Sequence, residues 1–419
     1  MGGVTDTGTI LIRGARQLLT LRGPNGARRG ADLDELGIIP DGALLIRDGL
    51  IDQVGPSRRL ENVSGARDAI EINAAGRVVM PGFVDSHTHP LFPPPGIPAS
   101  DFENAVRSVR SATAKRLAAH TRSQLQSMAR HGTTTVEAKT GCGPDDRAEL
   151  KLLRVLATLQ RDPVDVVPTL LLRLPAGVSA GHSANEAADW FIRELLPRVR
   201  QRGLARFVDV AWDANVEVHA ALGRCLEAAR SQGFSCKIHA DQESPSAAIS
   251  MAMGQVGISV DHLEHATKAE VALMAGGRTV ATLLPYPSFQ SRRTGAPARA
   301  LIDAGVPLAL ASDFSPRYAP NLNMQVVVAL ACLHMELTPA EAISAATING
   351  AYALDCGDKI GSLELQKEAD LLILNISDYR EMAHHFGTNL VHLTMKRGEF
   401  IYKEGEVAKQ TVEDVHPAW

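Results

Sequence analysis

Val78-Val79-Met80-Pro81-Gly82-Phe83-Val84-Asp85-Ser86-His87-Thr88-His89-Pro90 carries an apolar run straight into two histidines one residue apart. Alternate side chains on a strand share a face, so His87 and His89 project together, roughly 6–7 Å apart. Paired imidazoles at a strand end are candidate metal ligands. A bare His-x-His is more often an ordinary strand terminus, so its weight depends on whether the rest of the chain supplies partners for it.

After Pro81 short apolar runs alternate with helical stretches. Candidate strands fall at 82–87, 133–140, 166–172, 206–212, 235–239, 258–262, 279–284 and 307–312, with helices over stretches such as 147–160 and 185–201 between them. Eight strands alternating with helices predict an α/β fold of the (β/α)8 TIM-barrel type. Residues 8–80 and those beyond about 360 read differently, as short strands punctuated by Gly-Pro and Asp-Gly turns. The expected organisation is a barrel over 81–359 that interrupts a small β-sandwich domain built from 1–80 plus 360–419.

With 419 residues, 45% of them hydrophobic, the chain can fill a barrel of about 250 residues and a second module. A net charge of −4 gives no basic footprint for nucleic acid or an anionic membrane. The expected partner is a small molecule. Five scattered cysteines without a C-x-x-C pair suit a reducing compartment, so a cytoplasmic location is expected. No basic stretch followed by an apolar core opens the sequence, and no apolar run reaches bilayer-spanning length.

Barrel chemistry gathers at the C-terminal ends of the strands. His239 ends one candidate strand and Asp313 another, completing a set of three histidines and one aspartate with His87 and His89. Imidazole and carboxylate ligands with a position left for water suit one divalent metal, zinc or iron, better than calcium or magnesium. His262 also falls at a strand end, where an imidazole can polarise a carbonyl or shuttle a proton. The fourth strand, 207–213, contains no lysine that could bridge two metals, so a mononuclear site is expected, with Lys139 structural or facing substrate.

The Met-Pro-Gly lead-in to the His-x-His pair resembles the opening of the barrel in the amidohydrolase superfamily. More narrowly, the chain resembles the imidazolonepropionases, which open the imidazolone ring of histidine breakdown to N-formimino-L-glutamate. The likeness is carried by LGIIPDGALLIR (36–47), GTTTVEAKTG (132–141), ELKLLR (149–154), KIHADQ (237–242), DHLE (261–264) and ADLLIL (369–374), nearly the whole chain. It implies that His87, His89, His239 and Asp313 hold the metal, that His262 is catalytic, that Gln242 contacts substrate, and that the chain forms a homodimer.

Departures from the family pattern cluster in the substrate contacts. The stretch 91–103 lacks the family's arginine and tyrosine, Cys142 stands in place of a substrate-contacting tyrosine, and the third strand lacks an expected histidine. Phe314-Ser315-Pro316-Arg317 replaces the family's Cys-Asn-Pro-Gly after the aspartate, which makes Arg317 a candidate anchor for an acidic group. The sequence therefore predicts a metal-dependent hydrolase of C–N bonds in cyclic amides or amidines, acting on imidazolone propionate or a related ring. Asp313 and His262 are its expected catalytic residues, and Gln242, Cys142 and Arg317 its substrate contacts. The alternatives are an aminohydrolase that deaminates a heterocycle, against which Gln242 weighs because it cannot donate an acidic proton, and a non-catalytic metal-binding paralogue.

Overall fold

A computed structural model describes residues 8–92, 102–141, 146–173, 183–212, 216–242, 244–246, 248–255 and 257–406. Cys142 and residues 93–101 of the shortened loop lie outside the described residues. Two sheets organise the chain, one mixed and one parallel.

The mixed sheet gathers β1 (Ile10–Leu19), β2 (Ile38–Arg47), β3 (Leu50–Pro56), β4 (Ile70–Asn73) and β5 (Val78–Pro81) from the N-terminal side of the barrel. The eight strands of the barrel, β6 to β13, come next in the chain. The mixed sheet then takes β14 (Leu371–Leu374), β15 (Val391–Lys396) and β16 (Glu399–Lys403) from its C-terminal side. Antiparallel pairing of β5 with β14, Met80 opposite Leu372, joins the two halves. Asp48 and Gly49, at φ 49° and 77°, form the two-residue turn between β2 and β3. Gly49 is also required sterically, because a Cβ there would lie 2.7 Å from the Arg397 carbonyl oxygen in the turn between β15 and β16.

The barrel strands are β6 (Phe83–Asp85), β7 (Thr133–Lys139), β8 (Asp165–Leu172), β9 (Phe207–Ala211), β10 (Ser235–Ala240), β11 (Gly257–His262), β12 (Val280–Leu283) and β13 (Leu308–Leu310). They pair in parallel in sequence order, at the eight places expected from the sequence. Hydrogen bonds at and just beyond the ends of the first and last strands link them: Asp85 accepts from Ser312 N at 2.9 Å and Ser312 Oγ at 2.5 Å, and the His89 backbone N donates to the Phe314 carbonyl at 2.7 Å.

Residues facing outward, among them Leu170, Leu172, Val208, Val210, Ile238 and Val260, are buried in the apolar layer beneath the helices. Inward-facing positions of the barrel strands include a polar set: Glu137, Lys139, Thr169, Asp209, Lys237 and Asp261 are all fully buried. Aliphatic side chains usually fill such an interior. Here an ionic layer takes part of that space and contacts the strand-end histidines His87 and His239.

The helical stretch expected over 185–201 contains one irregularity, a π-turn at Phe191–Leu195, where Leu196 N reaches back to Phe191 O. Pro197 follows at the start of the next helical segment. Lacking an N–H and needing room for its ring, it is accommodated by the widened turn.

Candidate metal centre at the barrel mouth

Strand alternation brings Asp85 and His87 to the barrel interior, and His89 follows in the same phase. His239 comes from the end of β10, and Asp313 from just beyond β13. Ring centroids of His87 and His239 lie 4.5 Å apart, those of His87 and His89 5.2 Å, and those of His89 and His239 5.8 Å. Asp313 Oδ1 is 3.6 Å from His87 Nε2 and 3.5 Å from His89 Nε2. Among the described residues, ligand atoms of His87, His89 and His239 all lie within 4.8 Å of one another, as do those of His87, His262 and Asp313. The expected set thus converges on one place.

Backbone strain makes part of this convergence possible. Asp241, His262, Leu263 and Asp313 all have positive φ, at 54°, 84°, 71° and 53°, and all sit where barrel strands end. Consecutive residues of a regular strand face opposite ways. The left-handed turn at His262 lets both it and Asp261 reach inward, Asp261 to His87 and Lys139, and His262 to ring distances of 5.3 Å from both His87 and His239. Such strained non-glycine residues cluster at functional sites.

The ionic layer orients the histidines from below. Asp261 Oδ2 accepts from His87 Nδ1 at 2.7 Å. Asp209 Oδ2 lies 2.8 Å from His239 Nδ1, a close polar contact that falls short of an aligned hydrogen bond. Lys139 Nζ ties the two carboxylates together, 2.5 Å from Asp209 and 3.2 Å from Asp261, and is 3.0 Å from Glu137. Lys237 Nζ donates to Glu137 at 2.6 Å and to the Ser86 carbonyl at 2.9 Å. Lys139 therefore belongs to the supporting structure.

The electrostatics suit cation binding. Burial and the charge of Lys139 hold His87 well below the ordinary imidazole value, and burial with Arg173 does the same to His89. Burial lowers His239 to about 4 against the opposing pull of Asp209. All three rings are neutral near pH 7, the form that coordinates metal. His87 Nε2 and His239 Nε2 are buried without a hydrogen-bond partner among the described residues. Orphaned buried nitrogens of this kind, with a carboxylate alongside, fit a divalent cation.

His262 and Asp313 have perturbed acidities. Burial raises the Asp313 carboxyl to about 6, against the opposing charges of His262 and Arg173. Burial disfavours protonated His262, but Glu264, whose Oε1 is 3.3 Å from His262 Nδ1, outweighs it and moves the imidazole upward. Gln242 is partly exposed three residues after His239. Arg317 is also partly exposed, its guanidinium carbon 5.3 Å from the Tyr318 ring centroid.

Arg173, immediately after β8, is a residue of the mouth that the sequence motifs do not single out. Its charge acts on His89, His239 and Asp313. The signal available for it is phase: Arg173 follows Thr169 by four residues, and Thr169 Oγ1 donates into the barrel to Glu137 Oε1 at 2.5 Å. The histidines at 384, 385 and 392 are surface residues near the mixed sheet, with His385 and His392 beside Glu381 and Glu404.

Residues 78–401 match the Amidohydrolase family. Over 414 residues, 94% of this chain and 99% of the relative, the sequence is 36% identical to an imidazolonepropionase of Parabacteroides distasonis. It is 38% identical over 424 residues to that of Symbiobacterium thermophilum, covering 96% of this chain and 99% of the relative. Similar solved structures include an adenosine deaminase from Xanthomonas campestris with bound zinc, at TM-score 0.73 and 19% identity over 96% of this chain and 94% of that one. Escherichia coli guanine deaminase gives 0.71 and 16%, over 94% and 99%. At these identities the structures support the shared fold.

Proposed function

Because the chain belongs to the imidazolonepropionase family of amidohydrolases, we propose that its barrel mouth opens a five-membered cyclic amide or amidine by hydrolysis of a ring C–N bond. It is a metal-dependent amidohydrolase of imidazolonepropionase type, a hydrolase of carbon–nitrogen bonds. Imidazolone propionate, which would yield N-formimino-L-glutamate, is the first ring to test. The observation that carries this reading is the clustering of His87, His89, His239 and Asp313 at the barrel mouth, with His262 beside them.

One zinc or iron ion held by His87, His89, His239 and Asp313 would supply Lewis acidity and a water acidic enough to attack near neutral pH. With its acidity near 6, the Asp313 carboxylate is largely ionised at neutral pH and basic enough to accept the proton released by the attacking water. It then passes that proton to the ring nitrogen as the C–N bond breaks. Glu264 beside Nδ1 favours the imidazolium form of His262, and in that form Nε2 also carries a proton to donate towards the carbonyl oxygen as negative charge grows there. The Gln242 amide can donate or accept a hydrogen bond but cannot exchange a proton in this range, so it serves to orient the ring.

Turnover of imidazolone propionate by the metal-loaded protein, with parallel detection of ring-opened product and of ammonia, tests the reading. Stoichiometric ring opening without ammonia is expected. Ammonia release with the ring intact would replace it with deamination.

A further inference from the structure

Arg173 presents a problem that the catalytic residues do not resolve. It ends the third barrel strand in phase with Thr169, whose hydroxyl reaches the interior layer, so its side chain rises on the inner face towards the mouth. Its Nε is buried and has no hydrogen-bond partner among the described residues. No described carboxylate forms an ion pair with it either. A guanidinium remains charged in proteins and carries five donors. Arg173 is half-buried, so its guanidinium is drawn partly out of water without a carboxylate to receive its donors, an arrangement that favours a ligand able to supply one.

Neighbouring charges do not neutralise it at contact range. Asp313 and Asp209 are near enough to stabilise its charged form, while burial acts against that form. Both carboxylates have other engagements, Asp209 with Lys139 and Asp313 with the histidine cluster. The planar fork of arginine matches a carboxylate in paired hydrogen bonds. A partner that arrives with the ligand would satisfy it.

We infer that Arg173 is the specificity-determining anchor for a carboxylate substituent of the substrate, holding that group beside the histidine cluster while the ring lies over it. This assignment rests on the ring-opening reading for the site, but it concerns ligand recognition and can be tested without turnover. Arg317 is the competing anchor, on the loop after Asp313.

The experiment measures calorimetric binding of imidazole propionate, a ring-bearing carboxylate that offers no carbonyl to hydrolyse, and of its neutral carboxamide, to the metal-loaded protein. Wild type, Arg173→Leu, Arg173→Lys and Arg317→Ala are compared, with metal content and thermal midpoint recorded for each. The wild type should prefer the carboxylate by about 10- to 100-fold, the range of one charge-assisted contact. Arg173→Leu should erase that preference while leaving carboxamide affinity within about threefold. Arg173→Lys should restore part of it, which a merely structural role would not produce. Persistence of the preference in Arg173→Leu, its loss in Arg317→Ala alone, or an equal loss for both ligands in Arg173→Leu would overturn the assignment. Carboxylate preference that depends on Arg173 in a protein unable to open the ring would leave the anchor standing and remove only the proposed reaction.

Discussion

The Nδ1 of His87 donates to Oδ2 of Asp261 at 2.7 Å, and that same oxygen lies 3.2 Å from the ammonium of Lys139. An ionised carboxylate only accepts, so the proton of the neutral ring sits on Nδ1 and the Nε2 lone pair turns to the cluster. Burial would favour protonated Asp261, yet Lys237 and Lys139 hold it well below the ordinary carboxylate value. The tautomer of a candidate ligand is thus set by charges one layer deeper in the barrel.

Asp261→Asn should weaken metal binding by about 10- to 100-fold, as expected when the partner of a ligating histidine is impaired. An amide can still accept through its oxygen, but it loses the charge that favours donation from the ring. Competition with a chelator reads the effect directly. A wild-type metal affinity would mean that His87 needs no carboxylate to orient it.

Lys139→Met should be more damaging. It leaves Asp209 and Asp261 fully buried with a shared cation removed, a loss of about 3–5 kcal/mol for a broken buried pair. Denaturant unfolding of the metal-free protein measures that part, and metal content of the native protein measures the consequence for the ligands. Stability within about 0.5 kcal/mol of wild type would show that the layer tolerates the missing charge.

A separate ionic group ties the mixed sheet to the N-terminal end of the barrel. Lys396 and Arg397 lie 2.8 and 2.7 Å from Asp165 at the start of β8, and Lys396 also pairs with Asp370. Burial opposes ionised Asp165, but Lys396 and Arg397 overcome it and hold its carboxyl below the usual carboxylate pKa of 3.8. A carboxylate depressed on folding stabilises the native state above its unfolded value, and that contribution disappears as the pH falls through its folded value. Asp165→Asn should therefore lower stability by about 1–3 kcal/mol at pH 7, with the gap to wild type closing in acid. Urea melts at several pH values check it; a gap independent of pH would assign the effect to packing.

The eight barrel strands are legible in the sequence because short strand-like runs alternate with helical stretches, and His87, His89, His239, His262 and Asp313 all fall at or just beyond their ends. Asp209, Lys139 and Asp261 are visible as charges in apolar strands, but their pairing depends on register between strands far apart in sequence. The left-handed turn at His262 is equally hidden, since nothing in Asp261-His262-Leu263 marks a backbone reversal. Arg173 is obscured for another reason. The third strand draws attention to a missing histidine, and the phase that places an arginine at the mouth becomes clear only once Thr169 is known to face inward.

The division of labour between ligand and base can be separated with two substitutions. His239→Ala removes a buried nitrogen of the cluster and should lose most of the bound metal, and with it activity. Asp313→Asn keeps an oxygen at nearly the same place, so measurable metal should remain. Its amide cannot accept the water's proton, however, and kcat should fall by about 10²- to 10⁴-fold, the usual contribution of a positioned acid or base. Metal analysis and steady-state kinetics on the same preparations distinguish the two outcomes. Full metal occupancy in His239→Ala would remove that residue from the ligand set. Near-normal turnover in Asp313→Asn would shift proton acceptance to another group, and His262, with its 3.3 Å contact to Glu264, would be the next residue to substitute.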